Sequence, residues 1–198
     1  MGLLRRRGVC TEPVEVLLLA MTEDVMRPEV KSLIEHHNLQ PLPVEGTLFA
    51  STYRSPKEYE DGKPVGTAII AMYCDDPYSV SLFHRLKYDE VWHFYSGDPL
   101  RLVLLYPDGS SRDVIMGSHL LHGQLVQFVI PAGVWQAGHM LPGGRYSLFG
   151  CTVAPGFTSD IFEGGRREEL LAMYPDRADD INHFSVSGET KMPDGFAT

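Results

Sequence analysis

From residue 47 onward, short apolar runs alternate with breaks rich in Gly, Pro and Asp. Residues 47–54 read as a strand with mixed faces, and residues 67–74 as a nearly all-apolar strand covered on both sides. The runs at 79–86, 90–96, 100–106, 112–116, 125–130, 135–139 and 146–153 continue the pattern, giving nine or ten short strands. Such even spacing predicts a β-barrel or a double-sheet jelly roll. Before the strands, residues 27–38 predict a helix. Pro28 suits its first turn, Glu29 its positive end, and Val30, Leu33, Ile34 and His37 share one face. Pro41 and Pro43 stop it. Residues 166–174 predict a second, amphipathic helix anchored by Leu170, Leu171 and Tyr174 and ended by Pro175.

The ends carry weaker patterns. Arg5 to Arg7 precede an apolar run at 14–21 that Glu15 interrupts, which is poor signal-peptide grammar and far too short to span a membrane. Residues 1–25 are therefore expected to be a flexible extension, 26–178 a single domain, and 179–198 a polar, loosely held tail.

Composition changes this picture little. An apolar share of 43% and a charged share of 22% fit an ordinary soluble globular protein. The formal charge of −9 argues against nucleic acid or an anionic membrane as partner. Cys10, Cys74 and Cys151 have no pair or zinc spacing and read as isolated thiols, consistent with a cytoplasmic location.

Candidate chemistry gathers where two strands meet at a tight turn. Alternation puts Leu82, His84 and Leu86 on one face, then Glu90, Trp92 and Phe94 on one face of the next strand. An imidazole and a carboxylate among Leu, Trp and Phe resemble a pocket with apolar walls and a few orienting polar groups. The stretch from Pro131 to Gln136 reads as its partner, with Trp135 at the rim; Arg54 and Lys87 are candidate contacts for an anionic group. His93 is sent to the outer face. His84 and Glu90 suit a general acid–base pair, since a carboxylate beside an imidazole fixes its tautomer and raises its basicity. They equally suit plain ligand binding or mutual hydrogen bonding, and the sequence leaves these open.

These residues resemble the cupin superfamily. His84, Glu90 and Gly97 match the second half of its first motif, and Pro131, Gly133 and Gln136 match its second motif. More narrowly, the chain is similar to the uncharacterised Cupin_5 family. The similarity is carried by Phe83-His-Arg-Leu-Lys, Asp89-Glu-Val-Trp-His-Phe, Gly97-Asp-Pro-Leu, Thr152-Val-Ala-Pro-Gly-Phe and Glu168-Glu-Leu-Leu with Tyr174-Pro, over about residues 30–175. The resemblance implies a mainly β, cupin-type double-stranded β-helix (a jelly-roll barrel) with short N- and C-terminal helices, and a homodimer. Many cupins hold a metal with three histidines and a glutamate, but two of those positions are Leu86 and Gln136 here. No cofactor is therefore expected, beyond a weakly bound divalent ion on His84, Glu90 and Gln136. By analogy with metal-free epimerases of this superfamily, His84 would be the base and Glu90 its partner. The expected ligand is a small polar molecule, sugar-like or carboxylated, lodged against Trp92, Phe94, Trp135 and Gln136. The alternatives are a non-enzymatic binding protein and a metal-dependent dioxygenase.

Overall fold

A computed structural model of the chain describes residues 26–193 and 195–196. The expected N-terminal extension and Cys10 lie outside the described residues. Helix α1 (Pro28–His37) leads into β1 (Gln40–Pro41), β2 (Leu48–Arg54), β3 (Thr67–Cys74), β4 (Ser81–Leu86), β5 (Glu90–Gly97), β6 (Leu100–Leu105) and β7 (Ser111–Met116). Then follow β8 (Gln127–Ile130), β9 (Trp135–Met140), β10 (Tyr146–Val153), β11 (Phe162–Gly164), α2 (Arg167–Met173) and α3 (Ala178–Phe184). The strands form two antiparallel sheets, ordered β1-β2-β3-β10-β5-β8 and β11-β4-β9-β6-β7.

Inward side chains of both sheets share one core. Ala71, Tyr73, Trp92, Phe94 and Phe149 of the first sheet pack with Leu100, Leu102, Leu104, Val114 and Met116 of the second. The other face of the second sheet is not solvated. Phe83, Val103, Leu105, Trp135 and Ala137 are covered by Leu170 and Tyr174 of the α2 region and by Ile181 and Phe184 of α3. That double cover explains why β6 reads as an almost unbroken apolar run. Helix α1 packs Val30 against Leu48, Met72 and Leu148. Among the described residues no helix is long and apolar enough to cross a membrane.

The observed strands and both expected helices agree closely with the sequence pattern, and the differences have physical causes. Strands β1 and β11 span two and three residues, too few for a period-2 signal. Alternation along β4 fails at Leu82. Its pairing with β9 shifts register between Ser81 and His84. Ser81, three positions before His84, therefore joins the interior, while Leu82 packs with Phe83 against the helix-covered core.

Residues 179–193 of the expected 179–198 tail are tied down. Ile181, Phe184, Val186 and Met192 are buried. Arg101 grips Asp180 with two parallel N–H bonds, at 2.8 and 3.0 Å. Asp113 bridges Arg101 and Arg177 at 2.8 Å each. The polar composition of this segment hid four apolar anchors spaced through it. Ile181→Ala is expected to lower unfolding free energy by about 2–5 kcal/mol, the cost of emptying a core site. Urea denaturation checks this; a loss under about 0.5 kcal/mol, as for a surface position, would contradict it.

Candidate functional site

A cavity of about 320 Å³ opens between the sheets, beside β11 and the loop joining β1 to β2. Its walls are mostly aromatic and aliphatic: Phe49 from β2, Ile69 and Ala71 from β3, Trp92 from β5, Phe149 and Val153 from β10, Phe162 from β11, Phe157 from the segment between β10 and β11, and Phe196 from the segment after α3. Into this apolar space project Glu45, His84 and Glu90.

His84 is held on three sides. The Leu82 carbonyl lies 2.8 Å from Nδ1, and a carbonyl only accepts, so Nδ1 carries the proton. The ring stacks on Phe162 with centroids 5.3 Å apart and planes 14° apart. The residue is 3% exposed. Its second nitrogen, Nε2, faces Oε2 of Glu45 at 3.6 Å, too far for a direct hydrogen bond. In the neutral ring both atoms are acceptors, so the gap between them calls for a donor.

Glu45 reaches this position from a strained turn. Val44 has φ 68° and Gly46 φ 90°, left-handed values that a β-branched valine rarely adopts. The turn is closed by backbone bonds from Gly46 to Leu42 and from Leu82 to the Glu45 carbonyl. Oε1 of Glu45 accepts from the hydroxyls of Thr47 and Ser81. Ser81 is linked to the Tyr73 hydroxyl at 2.6 Å. Thr47, Ser81 and Tyr73 are buried and each of their hydroxyls is hydrogen-bonded, as interior polar groups require.

Glu90 is anchored separately. Its Oε2 accepts from Trp92 Nε1 at 2.9 Å and from Gln136 Nε2 at 2.8 Å. Trp92 Nε1–H is shared with Gln136 Oε1 at 3.1 Å. Burial pushes the Glu90 carboxyl above the usual range. The nearby His84 opposes this shift, Glu45 adds to it, and the two donors oppose it. Burial, with Glu90 and Glu45 adding, also holds the Cys151 thiol well above its ordinary value, so Cys151 is a neutral wall residue rather than a thiolate nucleophile.

The structure thus brings His84, Glu90, Trp92 and Arg54 to one cavity. Arg54 lines it and donates to the Phe157 carbonyl at 3.2 Å. Gln136 lies behind Glu90 and Trp92 as their hydrogen-bond partner. Phe94 belongs to the core shared by the sheets. Trp135 points the other way, into the helix-covered core, with the Arg85 guanidinium 4.4 Å from its ring centroid. Lys87 sits in a different surface depression near Asp160. His84 and Glu90 do not hydrogen-bond each other, since each has its own partners. His93 bonds Thr152 and Gln127 away from the cavity.

Glu45 is the residue that sequence reasoning missed. It lies in a loop, where neither helical nor strand periodicity assigns a direction. The only trace was an acid caught between Pro43 and Gly46 in a tight turn.

The residues do not fit the metal site common among cupins. Leu86 has no donor atom, and the carboxamide of Gln136 is committed to Glu90 and Trp92. Among the described residues no group of three or more His, Cys, Asp or Glu is arranged to hold an ion.

Comparison with known proteins agrees with the fold. The sequence model of the family described as Cupin_5, cupin superfamily (DUF985), matches residues 31–164. An uncharacterized protein of Saccharomyces cerevisiae is 28% identical over 155 residues, covering 69% of this chain and 77% of that protein. A solved protein of Shewanella oneidensis is 34% identical with a TM-score of 0.72, covering 78% of this chain and 96% of its own. A hypothetical protein of Leishmania major is 27% identical with a TM-score of 0.71, covering 79% and 98%.

The state of Glu90 has a stability consequence. Its folded-state value lies above the ordinary 4.5, so the protonated form favours the folded chain. That contribution is whole below the unfolded value and is lost as pH rises through the folded one. Glu90→Gln stays neutral and retains an acceptor for both donors. It is expected to raise Tm near pH 8 by about 2–4 °C, the shift that ~1 kcal/mol produces at this size, and to leave it unchanged below about pH 4. Melting curves at the two pH values check this; an unchanged or lower Tm near pH 8 would contradict it.

Proposed function

The chain belongs to the Cupin_5 family of the cupin superfamily, and from that membership we propose that it is a small-molecule-binding cupin whose sheets close as a jelly-roll barrel around the ligand. One observation carries the reading. Nε2 of His84, on a buried side chain, opens into a mostly apolar cavity with no hydrogen-bond partner among the described residues. A polar atom aimed into an apolar-walled cavity marks where the polar head of a ligand would sit.

The walls suit a ring-bearing or branched apolar body with its polar head toward His84. A molecule hydroxylated on every side would set many of its groups against phenyl rings, so a sugar-like ligand suits these walls less well. In the catalytic form of this proposal, Nε2 accepts a proton from the ligand and the nearby carboxylates stabilise the imidazolium, which is isomerase-type chemistry. Non-enzymatic binding uses the same contacts. It is favoured by the way two donors hold Glu90 as a fixed orienting group. Nothing in the donor set supports the dioxygenase reading, and no step here runs through a metal.

Two-copy assembly and a cytoplasmic location belong to the same proposal, from family resemblance. Light scattering is expected to give about twice the chain mass of 22.1 kDa, and a monomer mass would remove the dimer. Thermal-shift screening of ring-bearing amines, alcohols and acids is expected to yield compounds that raise Tm, by mass action on the folded state. The shift should disappear in His84→Gln. Exchange of a ligand carbon-bound hydrogen with heavy water, lost in the same variant, would identify catalysis. Failure of every compound, or shifts that persist unchanged in His84→Gln, would show that the site is elsewhere.

A further inference from the structure

We propose that the inner end of this cavity recognises a protonated amine, so that the ligand is a small organic ammonium with an aromatic or branched apolar body. The inference rests on the reading of the cavity as a small-molecule site and adds the class of ligand.

Nε2 of His84 and Oε2 of Glu45 stand 3.6 Å apart and both face the same space. The Glu90 carboxylate lines that space too. All three present lone pairs. An ammonium group offers three N–H donors and no acceptor, the complement of that set. A hydroxyl satisfies fewer of them, and a carboxylate head would meet two acids.

Charge points the same way. Among the described residues no Lys or Arg forms an ion pair with Glu45 or Glu90; the 3.6 Å contact of Glu45 with His84 sets two acceptors against each other when the ring is neutral. The cation in the lining, Arg54, lies across the sheet. Pairing links Glu90 to Val153, Val153 to Thr67, and Thr67 to Arg54, so three strand spacings, about 14 Å, separate the backbones of Glu90 and Arg54. Two buried acids with no permanently charged Lys or Arg beside them are costly, and a cationic ligand would offset that cost.

The walls complete the match. Trp92 and Phe149 stack with centroids 4.7 Å apart, and Phe162 backs His84. The aromatic rings lining the cavity shelter the apolar body of the ligand.

Isothermal titration of the unmutated chain tests this with three probes sharing one ring: 2-phenylethylamine, 2-phenylethanol and 3-phenylpropionate. The amine is expected to bind at least about tenfold tighter than either of the others, as hydrogen bonds to charged groups imply. Glu45→Gln should reduce amine affinity by about tenfold and leave the alcohol unchanged. If the alcohol or the acid binds as tightly as the amine, the ammonium assignment is overturned while the cavity reading stands. If none of the three binds, both are overturned. The comparison among probes needs no variant, so a folding defect in Glu45→Gln does not shelter the proposal.

Discussion

Burying two carboxylates and an imidazole in one apolar space is the constraint around which this part of the molecule is built. A charged group taken from water must recover its hydrogen bonds from protein, and each acid does so through a different set of partners. Glu45 draws on Thr47 and Ser81, with Tyr73 beyond them, so the loop entering β2 is tied to β4, and through Ser81 to β3, by a single carboxylate oxygen. Glu90 draws on Trp92 and Gln136, which ties β5 in the first sheet to β9 in the second. The polar groups therefore join elements that hydrophobic packing alone would leave free to slide. Replacing one partner would take one of two donors from a buried acceptor, and for that reason the network specifies geometry more sharply than the surrounding core.

The same arrangement sets the chemistry. Each acid commits one oxygen to the protein scaffold. His84 commits Nδ1 to a main-chain carbonyl and its ring face to Phe162. The atoms that remain converge on the cavity as acceptors already fixed in place, which lowers the ordering cost of binding. The strained Val44 turn belongs to this design, because a relaxed turn would not aim Glu45 between β2 and β4. Aromatic walls keep water sparse and strengthen whatever electrostatic contact a ligand makes.

Much of this was legible in the residue pattern. The strands between residues 48 and 153 followed from apolar runs and turn residues, and so did the shared interior of His84, Glu90 and Trp92. What escaped did so for physical reasons. Strict alternation could not see the register shift that carries Ser81 inward and Leu82 outward. Adjacency to Gln136 suggested that Trp135 served the pocket, yet neighbours on a strand face opposite sides, and its indole packs under the C-terminal helices. Glu45 and Phe196 come from segments with no periodicity, so their part in the cavity exists only in three dimensions. The segment after residue 178 looked polar because its anchors are few, although each of them is deeply buried.

The central claim is that Nε2 of His84 meets the cavity as a lone pair while Nδ1 holds the proton. Nitrogen-15 NMR of histidine-labelled protein near pH 8 reads this directly, since protonated and unprotonated ring nitrogens resonate far apart. A protonated Nδ1 and a bare Nε2 are expected for His84, assigned by loss of its signals in His84→Gln. A proton on Nε2, alone or with Nδ1, would turn the acceptor into a donor toward Glu45 and contradict the account.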